Sequence, residues 1–262
     1  MVGVTHPLDD PVGLALRGLH AAYAVAAGSA LRYHPEIGPF AALAPDPGPG
    51  DWADLAQLLG PDGGAALLDP PPLPPGWSVL GSYPALQMMG PALHGPGDEE
   101  SAGPARSARP TTVAPATDAV RAPPGVSFEG NGARPAELHT EQDREDARDL
   151  AGRTEPGPFG PRTMELGTFL GVRDEGRLVA MAGERMHPTG WTEISGVCTD
   201  PSARGRGLSS TLVAAVAAGI EARGDRPYLH VLEGNRGATA VYARLGFTVR
   251  RTMPILVVRP PH

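Results

Sequence analysis

The chain has 262 residues, of which 41% are hydrophobic, and a formal net charge of -7 at pH 7. Its 22 basic residues are all arginine, and residues 1–139 hold only 6 of them against 14 acidic residues, which argues against nucleic acid as a general partner. A single cysteine excludes an intrachain disulfide and a cysteine-rich zinc site and favours a reducing cytoplasm, and no apolar run is long enough to cross a membrane.

Residues 1–91 predict a small α/β domain of unknown role. Alanine-rich residues 11–30 have helical character, and a second helix is predicted from an aspartate cap at Asp51 to Leu59. Strands are predicted at residues 64–68 and 77–88, with a proline-rich stretch between them. The start of the chain lacks a basic segment followed by a long apolar run, so we expect no signal peptide.

Residues 92–134 differ in composition from the sequence on either side. They contain almost no large hydrophobic side chains and are rich in proline, glycine and alanine, which predicts a flexible linker. Order is expected to return in a second domain, residues 135–262. Its first helix is predicted over residues 141–153, because Thr140 and Asp143 form the pattern of a capping box.

The second domain then alternates between strand and helix patterns. Tight turns separate the first strands, and apolar residues at every fourth position indicate the long helix. The predicted strands are 167–173, 177–186, 191–199, 227–232, 247–251 and 254–258, and the later helices are 208–223 and a short one from Asn235. This order predicts an α/β fold with a mixed β-sheet flanked by helices.

The loop before the long helix is the most informative stretch of the chain. It contains Arg204-Gly205-Arg206-Gly207-Leu208-Ser209, between a predicted strand and a predicted helix. A glycine-bearing turn at a helix start leaves backbone N–H groups unpaired at the positive end of the helix dipole. Such a site favours an anion, most naturally a phosphate, and the two arginines add positive charge.

Two motifs in order resemble the GNAT (Gcn5-related) N-acetyltransferase superfamily, particularly its FR47-like branch. The acyl-CoA loop of that superfamily, Arg/Gln-x-x-Gly-x-Gly/Ala, is matched by residues 204–209, with Ser209 in place of the last small residue. The later pattern Asn-x-x-Ala-x-x-x-Tyr-x-x-x-Gly-Phe is matched from Asn235 through Tyr242 to Phe247. The resemblance covers about residues 138–259, roughly half of the chain.

The resemblance implies a GNAT fold and an acyltransferase that moves an acetyl group from acetyl-CoA to a primary amine. The amine would attack the thioester directly in a ternary complex, with Tyr242 as the acid that protonates the departing thiolate. The resemblance also implies which residues bind the cofactor, through the pantetheine arm and the pyrophosphate. These residues are Val197, Cys198, Thr199, Arg204, Gly205, Arg206, Gly207, Leu208, Ser209, Asn235 and Tyr242.

Glu193 and Glu184 are the candidates for the general base. The position of Glu193, fourteen residues before Gly207, matches the general-base glutamate of the histone-acetyltransferase branch. If residues 187–190 form a four-residue hairpin loop, Glu184 lies opposite Glu193 on one face, and two facing carboxylates raise the pKa of one of them. The alternative is that one or both glutamates are paired with Arg185 or another arginine, or are solvated.

Other polar residues of this domain have ordinary structural explanations. Cys198 is expected mid-strand as a small buried hydrophobe, and strand parity places it on the face opposite Glu193 unless a bulge intervenes. His230 is expected to be a structural histidine beside the cofactor cleft, and Asn235 to cap its helix. No grouping of histidine and acidic residues has convincing metal-ligand spacing, so no metal is expected.

The sequence leaves the acceptor amine, the acyl chain preference and the oligomeric state open. The acceptor is expected to be a small molecule or a peptide, and no membrane partner is expected. A rival hypothesis is a non-catalytic acyl-CoA-binding or regulatory module that contacts a protein partner. A further hypothesis, from the repeat of Gly38-Pro39-Phe40 at Gly157-Pro158-Phe159, is that the first domain is a degenerate GNAT-like half.

Overall fold

A computed structural model describes residues 6–91 and 134–261. Apart from Arg134, the predicted linker lies outside these residues. The described part of the chain contains five α-helices: α1 (Pro11–Arg17), α2 (Pro49–Leu59), α3 (Glu141–Thr154), α4 (Leu208–Ala222) and α5 (Arg236–Arg244). The strands are β1 (Ala24–Ala27), β2 (Ala30–Tyr33), β3 (Ala41–Ala42), β4 (Ala65–Leu68), β5 (Ser78–Met89), β6 (Ala136–Glu137), β7 (Phe169–Asp174), β8 (Arg177–Glu184), β9 (Trp191–Thr199), β10 (Arg226–Leu232) and β11 (Thr248–Arg259).

Most of the strands form one large mixed sheet. Its eight strands follow the order β4-β11-β5-β10-β9-β8-β7-β6, and β1, β2 and β3 form a separate small sheet. β9 and β10 are parallel, and the other neighbours in the large sheet are antiparallel. The predicted fold class, a mixed sheet flanked by helices with a smaller α/β N-terminal part, is confirmed.

The large sheet contains strands from both predicted domains. β5 lies between β10 and β11, with Leu232 opposite Ala85 and Leu256 opposite Ser82. β4 extends the sheet beyond β11. The N-terminal part therefore contributes both a central strand and an edge strand to the sheet that carries the motifs, and the division into domains stays a prediction.

The helices cover the two faces of this sheet. Side chains of α4 and α5, such as Leu212 and Tyr242, share one core with alternate residues of β7–β10. α3 packs on the other face, where Leu150 contacts a cluster that includes Met181. N-terminal residues cover that same face next to α3, with the Phe40 ring 4.6 Å from the Arg185 guanidinium.

Several predicted boundaries are wrong, for local reasons. Residues 11–30 are not one helix, because α1 ends at Arg17 before Gly18 and the chain then turns into a hairpin at Gly28, whose φ is +52°. Asp51 does not cap α2: the N-cap is Gly48, and the Asp51 carboxylate accepts a hydrogen bond from the Gly48 amide at 2.7 Å. The two predicted final strands are the single strand β11, which has a bulge between Val249 and Arg251.

The elements that position the motifs follow the sequence prediction closely. α3 has its capping box, in which the Asp143 amide donates to the Thr140 hydroxyl at 3.1 Å and the Asp143 carboxylate accepts from the Thr140 amide. β7, β8, β9, α4, β10 and α5 all lie where strand or helix was predicted, to within two residues at each end. Local signals were sufficient there because caps and tight turns mark the ends of these elements and the helices bury one regular face.

Candidate active site

The parallel strands β9 and β10 separate part of the way along their length. Their pairing runs from Trp191 opposite Arg226 to Glu193 opposite Tyr228. Beyond that point, residues 194–199 have no strand partner on the β10 side within the described part of the chain. Backbone N–H and C=O groups on this edge of β9 are therefore available to an extended ligand that enters the gap.

A β-bulge lies in the separated part of β9. Pairing with β8 shifts register between Met181 and Gly183, and Gly196 has a φ of +64°. That φ lies in the left-handed region, which glycine adopts without a steric penalty. The bulge changes which face the following side chains occupy.

The glycine-rich loop follows β9 directly and leads into α4. Gly205 has a φ of +79° and Gly207, the N-cap of α4, a φ of +75°. A Cβ on Gly205 would meet nothing within 4 Å among the described residues, so backbone conformation rather than space calls for glycine there. No described side chain caps α4, so its first N–H groups and the positive end of its dipole face outward.

The arginines of this loop are not equivalent. The Arg206 guanidinium donates to the Asp174 carboxylate at 2.6 Å, so part of its charge is already neutralised. Arg204 donates through Nε to the Thr199 carbonyl at 3.3 Å. The hydroxyls of Thr199 and Ser209 lie 2.8 Å apart, which ties the end of β9 to the first turn of α4.

The second motif forms α5 and the turn after it. The Asn235 side chain accepts a hydrogen bond from the Ala238 amide at 3.1 Å, which confirms the predicted cap. Gly246 has a φ of +87° just after the helix, as expected of a left-handed C-terminal residue. Tyr242 is buried beside Phe247, and burial raises the pKa of its hydroxyl to about 12.

Glu193 lies at the point where β9 and β10 separate, and it is completely buried. Nε and Nη2 of Arg185 donate to its two carboxylate oxygens at 2.8 and 2.7 Å. Its Oε1 also lies 2.7 Å from Nδ1 of His230. Burial opposes ionisation, but Arg185 and His230 outweigh it and lower the pKa of Glu193 to about 2.

The partners of His230 indicate the tautomer of its neutral ring. Arg250 donates to Oε1 of Gln87 at 2.8 Å, so the Gln87 amide nitrogen points toward the Leu8 carbonyl and toward Nε2 of His230, at 2.8 and 3.1 Å. Nε2 of a neutral His230 is then the acceptor and Nδ1 carries the proton that is donated to Glu193. The series of hydrogen bonds continues with Nη2 of Arg250, which donates to Oδ1 of Asp9 at 2.6 Å.

The prediction that Glu184 faces Glu193 is wrong. Glu184 pairs with Ile194, one position from the predicted register, because Arg185 and Met186 both bond the backbone of Glu193: the Arg185 amide donates to the Glu193 carbonyl at 3.0 Å, and the Glu193 amide donates to the Met186 carbonyl at 2.8 Å. A one-residue shift in register moves a side chain to the other face. Glu184 accordingly accepts from Arg223 of α4 at 2.6 Å, and burial, not a facing carboxylate, raises its pKa.

The position predicted for Cys198 is also corrected. Strand parity placed it opposite Glu193 in the absence of a bulge, but the bulge at Gly196 turns Cys198 to the face of Glu193, where it packs beneath α3. The thiol is buried, and burial raises its pKa to about 11. A thiol with a raised pKa is a poor nucleophile, as the sequence predicted on other grounds.

Gln87, Arg250 and Asp9 were not predicted from the sequence as partners of this region. Gln87 is 143 residues from His230, and no local pattern joins them. The available signal is that Gln87 is the one amide in the otherwise apolar end of β5. Among the described residues there is no group of three or more histidine, cysteine, aspartate or glutamate side chains that could hold a metal, and no helix long and apolar enough to span a membrane.

A cleft of about 570 Å3 opens at the end of β10. Its lining residues come from the middle of β5, the end of β10 and the β10–α5 connection: Ser82, Tyr83, Pro84, Leu232, Glu233, Gly234 and Asn235. Asn235 thus both caps α5 and lines this cleft. Of this set, only Asn235 was a candidate site residue from the sequence.

Comparison with known proteins gives three kinds of match. The model of FR47-like protein matches residues 169–254. Mycothiol acetyltransferases from Thermomonospora curvata and from a Nocardioides strain are 36% and 32% identical over 124 and 123 residues, which are 47% and 42% of this chain. The matched region spans 40% and 41% of the length of these curated relatives.

The solved structures extend the comparison to the rest of the chain. A GCN5-related N-acetyltransferase from Kribbella flavida has a TM-score of 0.56 at 23% identity, over 96% of this chain and 95% of its own, and shows the fold alone. A GNAT-family acetyltransferase structure from Novosphingobium aromaticivorans is 39% identical, with a TM-score of 0.75 over 98% of this chain and 100% of its own. With that identity along both full lengths, this chain belongs to the GNAT family of N-acetyltransferases, and the FR47-like match lies across its site.

Proposed function

We propose that this protein transfers an acetyl group from acetyl-CoA to a primary amine of a small molecule. The observation that carries the proposal is the succession of an unpaired strand edge and an uncapped helix N-terminus. Residues 194–199 of β9 offer backbone groups to an extended arm, and the loop with Gly205 and Gly207 offers N–H groups to a phosphate. The two features are adjacent in the chain and match the two ends of one ligand.

The residues present fit an acyl-CoA. The backbone of Val197, Cys198 and Thr199 would hold the pantetheine arm, and residues 204–209 would hold the pyrophosphate. The space around Gly205 and the absence of a described side-chain cap on α4 both favour this role. When bound, acetyl-CoA would supply the activated thioester.

An acceptor that binds as an ammonium first loses one proton to a base or to solvent; transfer then requires one bond to form, one to break and two proton movements. The acceptor nitrogen forms a C–N bond to the acetyl carbon while the C–S bond breaks, one proton leaves the amine, and one reaches the thiolate sulfur. We propose Tyr242 as the donor of that second proton. Its pKa of about 12 keeps the hydroxyl protonated throughout the neutral range.

The identity of the general base stays a prediction. The contacts of Glu193 favour a positioning role for it over the role of a base. A carboxylate with a pKa of about 2 that accepts from Arg185 and His230 is a weak base. We propose that Glu193 positions these two side chains at the point where the strands separate. Glu184 has the raised pKa, but it is ion-paired with Arg223 on the face occupied by α4.

Titration calorimetry with acetyl-CoA tests the proposal. We expect micromolar binding to the wild type, loss of binding in Gly205→Glu, and unchanged binding in Gly190→Glu. The control is closely matched, because Gly190 has a φ of +74° and equally open surroundings among the described residues. Absence of binding to the wild type, or equal binding to both variants, would contradict the proposal.

A second candidate is a non-catalytic acyl-CoA-binding module. The complete burial and pairing of Glu193 favours it, since no free carboxylate is left there to accept a proton. Release of CoA from acetyl-CoA in the presence of an amine separates the two. Binding of acetyl-CoA without any amine-dependent release would favour the binding module.

A further inference from the structure

The cleft at the end of β10 lies on the same face of the sheet as the Glu193 network. Side chains alternate along a strand, so Leu232 shares a face with His230, two residues and about 7 Å earlier. Ala85 is the cross-strand partner of Leu232, and Tyr83 follows on the same face of β5. The cleft therefore continues, beyond His230, the surface that begins at Glu193.

The lining of the cleft is apolar with one charge. Tyr83 is 48% exposed and Leu232 is 49% exposed, and Pro84 follows Tyr83 on β5. Large apolar side chains on a protein surface are usually scattered, so a group of them within one concave site indicates a ligand surface. Glu233 is the only carboxylate in the lining, which contains no arginine or histidine.

The rim of the cleft is held by the main chain. The Glu233 amide donates to the Pro84 carbonyl at 2.9 Å, which joins the end of β10 to β5 at the point where the pairing of these two strands begins. The neighbouring Asn235 is fixed as the cap of α5. The cleft is therefore built on strand and helix ends, and its shape does not depend on a free loop.

We propose that this cleft is the acceptor subsite and that it takes a cationic primary amine with an apolar, preferably aromatic, substituent. The inference rests on the proposed acetyl transfer. Tyr83, Pro84 and Leu232 would contact the apolar group, and the Glu233 carboxylate would attract the ammonium. An acceptor with its own carboxylate would be repelled by Glu233 and is disfavoured.

The position of the cleft suits an acceptor. It meets the N-terminus of α5, the helix that carries Tyr242, and it lies past the end of the pairing between β9 and β10. Asn235 belongs both to this cleft and to the motif that would contact the cofactor arm. An amine bound here would approach the gap between β9 and β10 from the β10 side.

Steady-state CoA release with three probe amines tests the inference. The probes are 2-phenylethylamine, ethanolamine, which lacks the apolar group, and phenylalanine, which adds a carboxylate. The variants are Tyr83→Ser and Leu232→Ser, and the matched control is Val249→Ser, which is 51% exposed on β11 and outside the cleft. The KM for acetyl-CoA and the circular dichroism spectrum are recorded for every variant.

We expect wild type to prefer 2-phenylethylamine, and each cleft variant to raise its KM about tenfold, the size of effect that lost apolar contacts have in a specificity pocket. Val249→Ser and the KM for acetyl-CoA should not change. In Glu233→Gln the preference for 2-phenylethylamine over phenylalanine should fall about fivefold, because the repulsion is removed.

The outcomes separate this inference from the proposed function. Acetyl-CoA binding with equal use of all three amines, or with cleft variants that behave like Val249→Ser, would overturn the subsite and leave the transferase intact. Failure of the wild type to bind acetyl-CoA would overturn the transferase and, with it, the subsite. A KM effect confined to the cleft variants supports both.

Discussion

The glycine-rich loop and the Glu193 network lie at opposite ends of the separated part of β9, and they are built in opposite ways. The loop is exposed, has few side-chain partners and takes its properties from the backbone of residues 199–211. The network is centred on the buried Glu193 and Gln87, its other members are half-buried, and each polar atom described above has a partner. Its members come from six separate positions: Asp9, Gln87, Arg185, Glu193, His230 and Arg250.

Because of this difference, we expect the loop to affect ligand binding and the network to affect the stability of the fold. A backbone cradle with few side-chain partners adds little to folding, so a change there should affect the ligand and leave the fold intact. A buried and fully paired network has the reverse property, because removal of one member leaves the others unpaired. Substitutions in the two regions should therefore differ in their effects on stability and on ligand binding.

Glu193→Ala should destabilise the protein by about 3–5 kcal/mol, because it leaves the Arg185 guanidinium buried without its carboxylate. Urea unfolding at pH 7 measures the effect. Asp174→Ala is the control, since it removes an exposed carboxylate from Arg206 at the loop and should cost less than about 1 kcal/mol. Equal stability of the two variants would remove the contrast between the regions.

Tyr242→Phe should lower turnover about 100-fold, which corresponds to about 2.7 kcal/mol, because the proposed proton donor is lost. Acetyl-CoA affinity and thermal stability should stay close to wild type, since the ring keeps its contact with Phe247. Tyr23→Phe, which removes a hydroxyl bonded to the distant Glu165 carbonyl, is the control. Unchanged turnover in Tyr242→Phe would exclude this tyrosine as the acid.

Acid should lower the free energy of unfolding through His20 and His187. Burial lowers the pKa of His20 to about 3, with a further contribution from His187, and burial together with Arg223 lowers the pKa of His187 to about 4. In the unfolded chain both titrate near pH 6.5, so the unfolded state binds more protons below that pH. Stability should therefore fall as the pH drops from about 6.5 to 4.

The slope should be about 1.4 kcal/mol per pH unit for each histidine. Urea unfolding at pH values from 7 to 4.5 measures it and avoids the window of Glu193, whose lowered pKa gives a loss only between about 4.5 and 2. His187→Gln should reduce the slope, and the control His34→Gln, at an exposed position, should leave it unchanged. A slope unaffected by His187→Gln would show that its low pKa does not contribute.

Asn235→Ala and Thr140→Ala should each cost about 1 kcal/mol, because each removes the side chain that caps a helix. Only Asn235→Ala should also weaken acetyl-CoA binding, since Thr140 lies at the start of α3, away from the loop. Thermal unfolding and calorimetry on both variants check this. Equal acetyl-CoA affinity in the two variants would limit Asn235 to its capping function.

The glycine-rich loop and α5 could be predicted from the sequence because their determinants are local. Glycines with positive φ, an N-cap and a C-terminal glycine each act within one turn of chain. The same holds for the capping box at Thr140 and the strand alternation of β7–β9. These signals fixed the order of elements from α3 onward.

The Glu193 half could not be predicted, because it depends on register and on distant partners. One residue of slip between β8 and β9 moved Glu184 to the other face, and the bulge at Gly196 moved Cys198. Neither the register nor the bulge can be recognised from a local sequence pattern. The position of β5 between β10 and β11 is equally remote, since nothing near residues 78–89 indicates which strands flank them.

The placement of β5 also has a consequence for how the chain assembles. Both neighbours of this central strand are made more than 130 residues later, so its pairings close very long loops and are expected to form slowly. A nascent chain that has reached only residue 91 would hold β5 with both of its edges unpaired, a form prone to aggregation. Assembly of the catalytic sheet should therefore be completed by the last strand synthesised, β11.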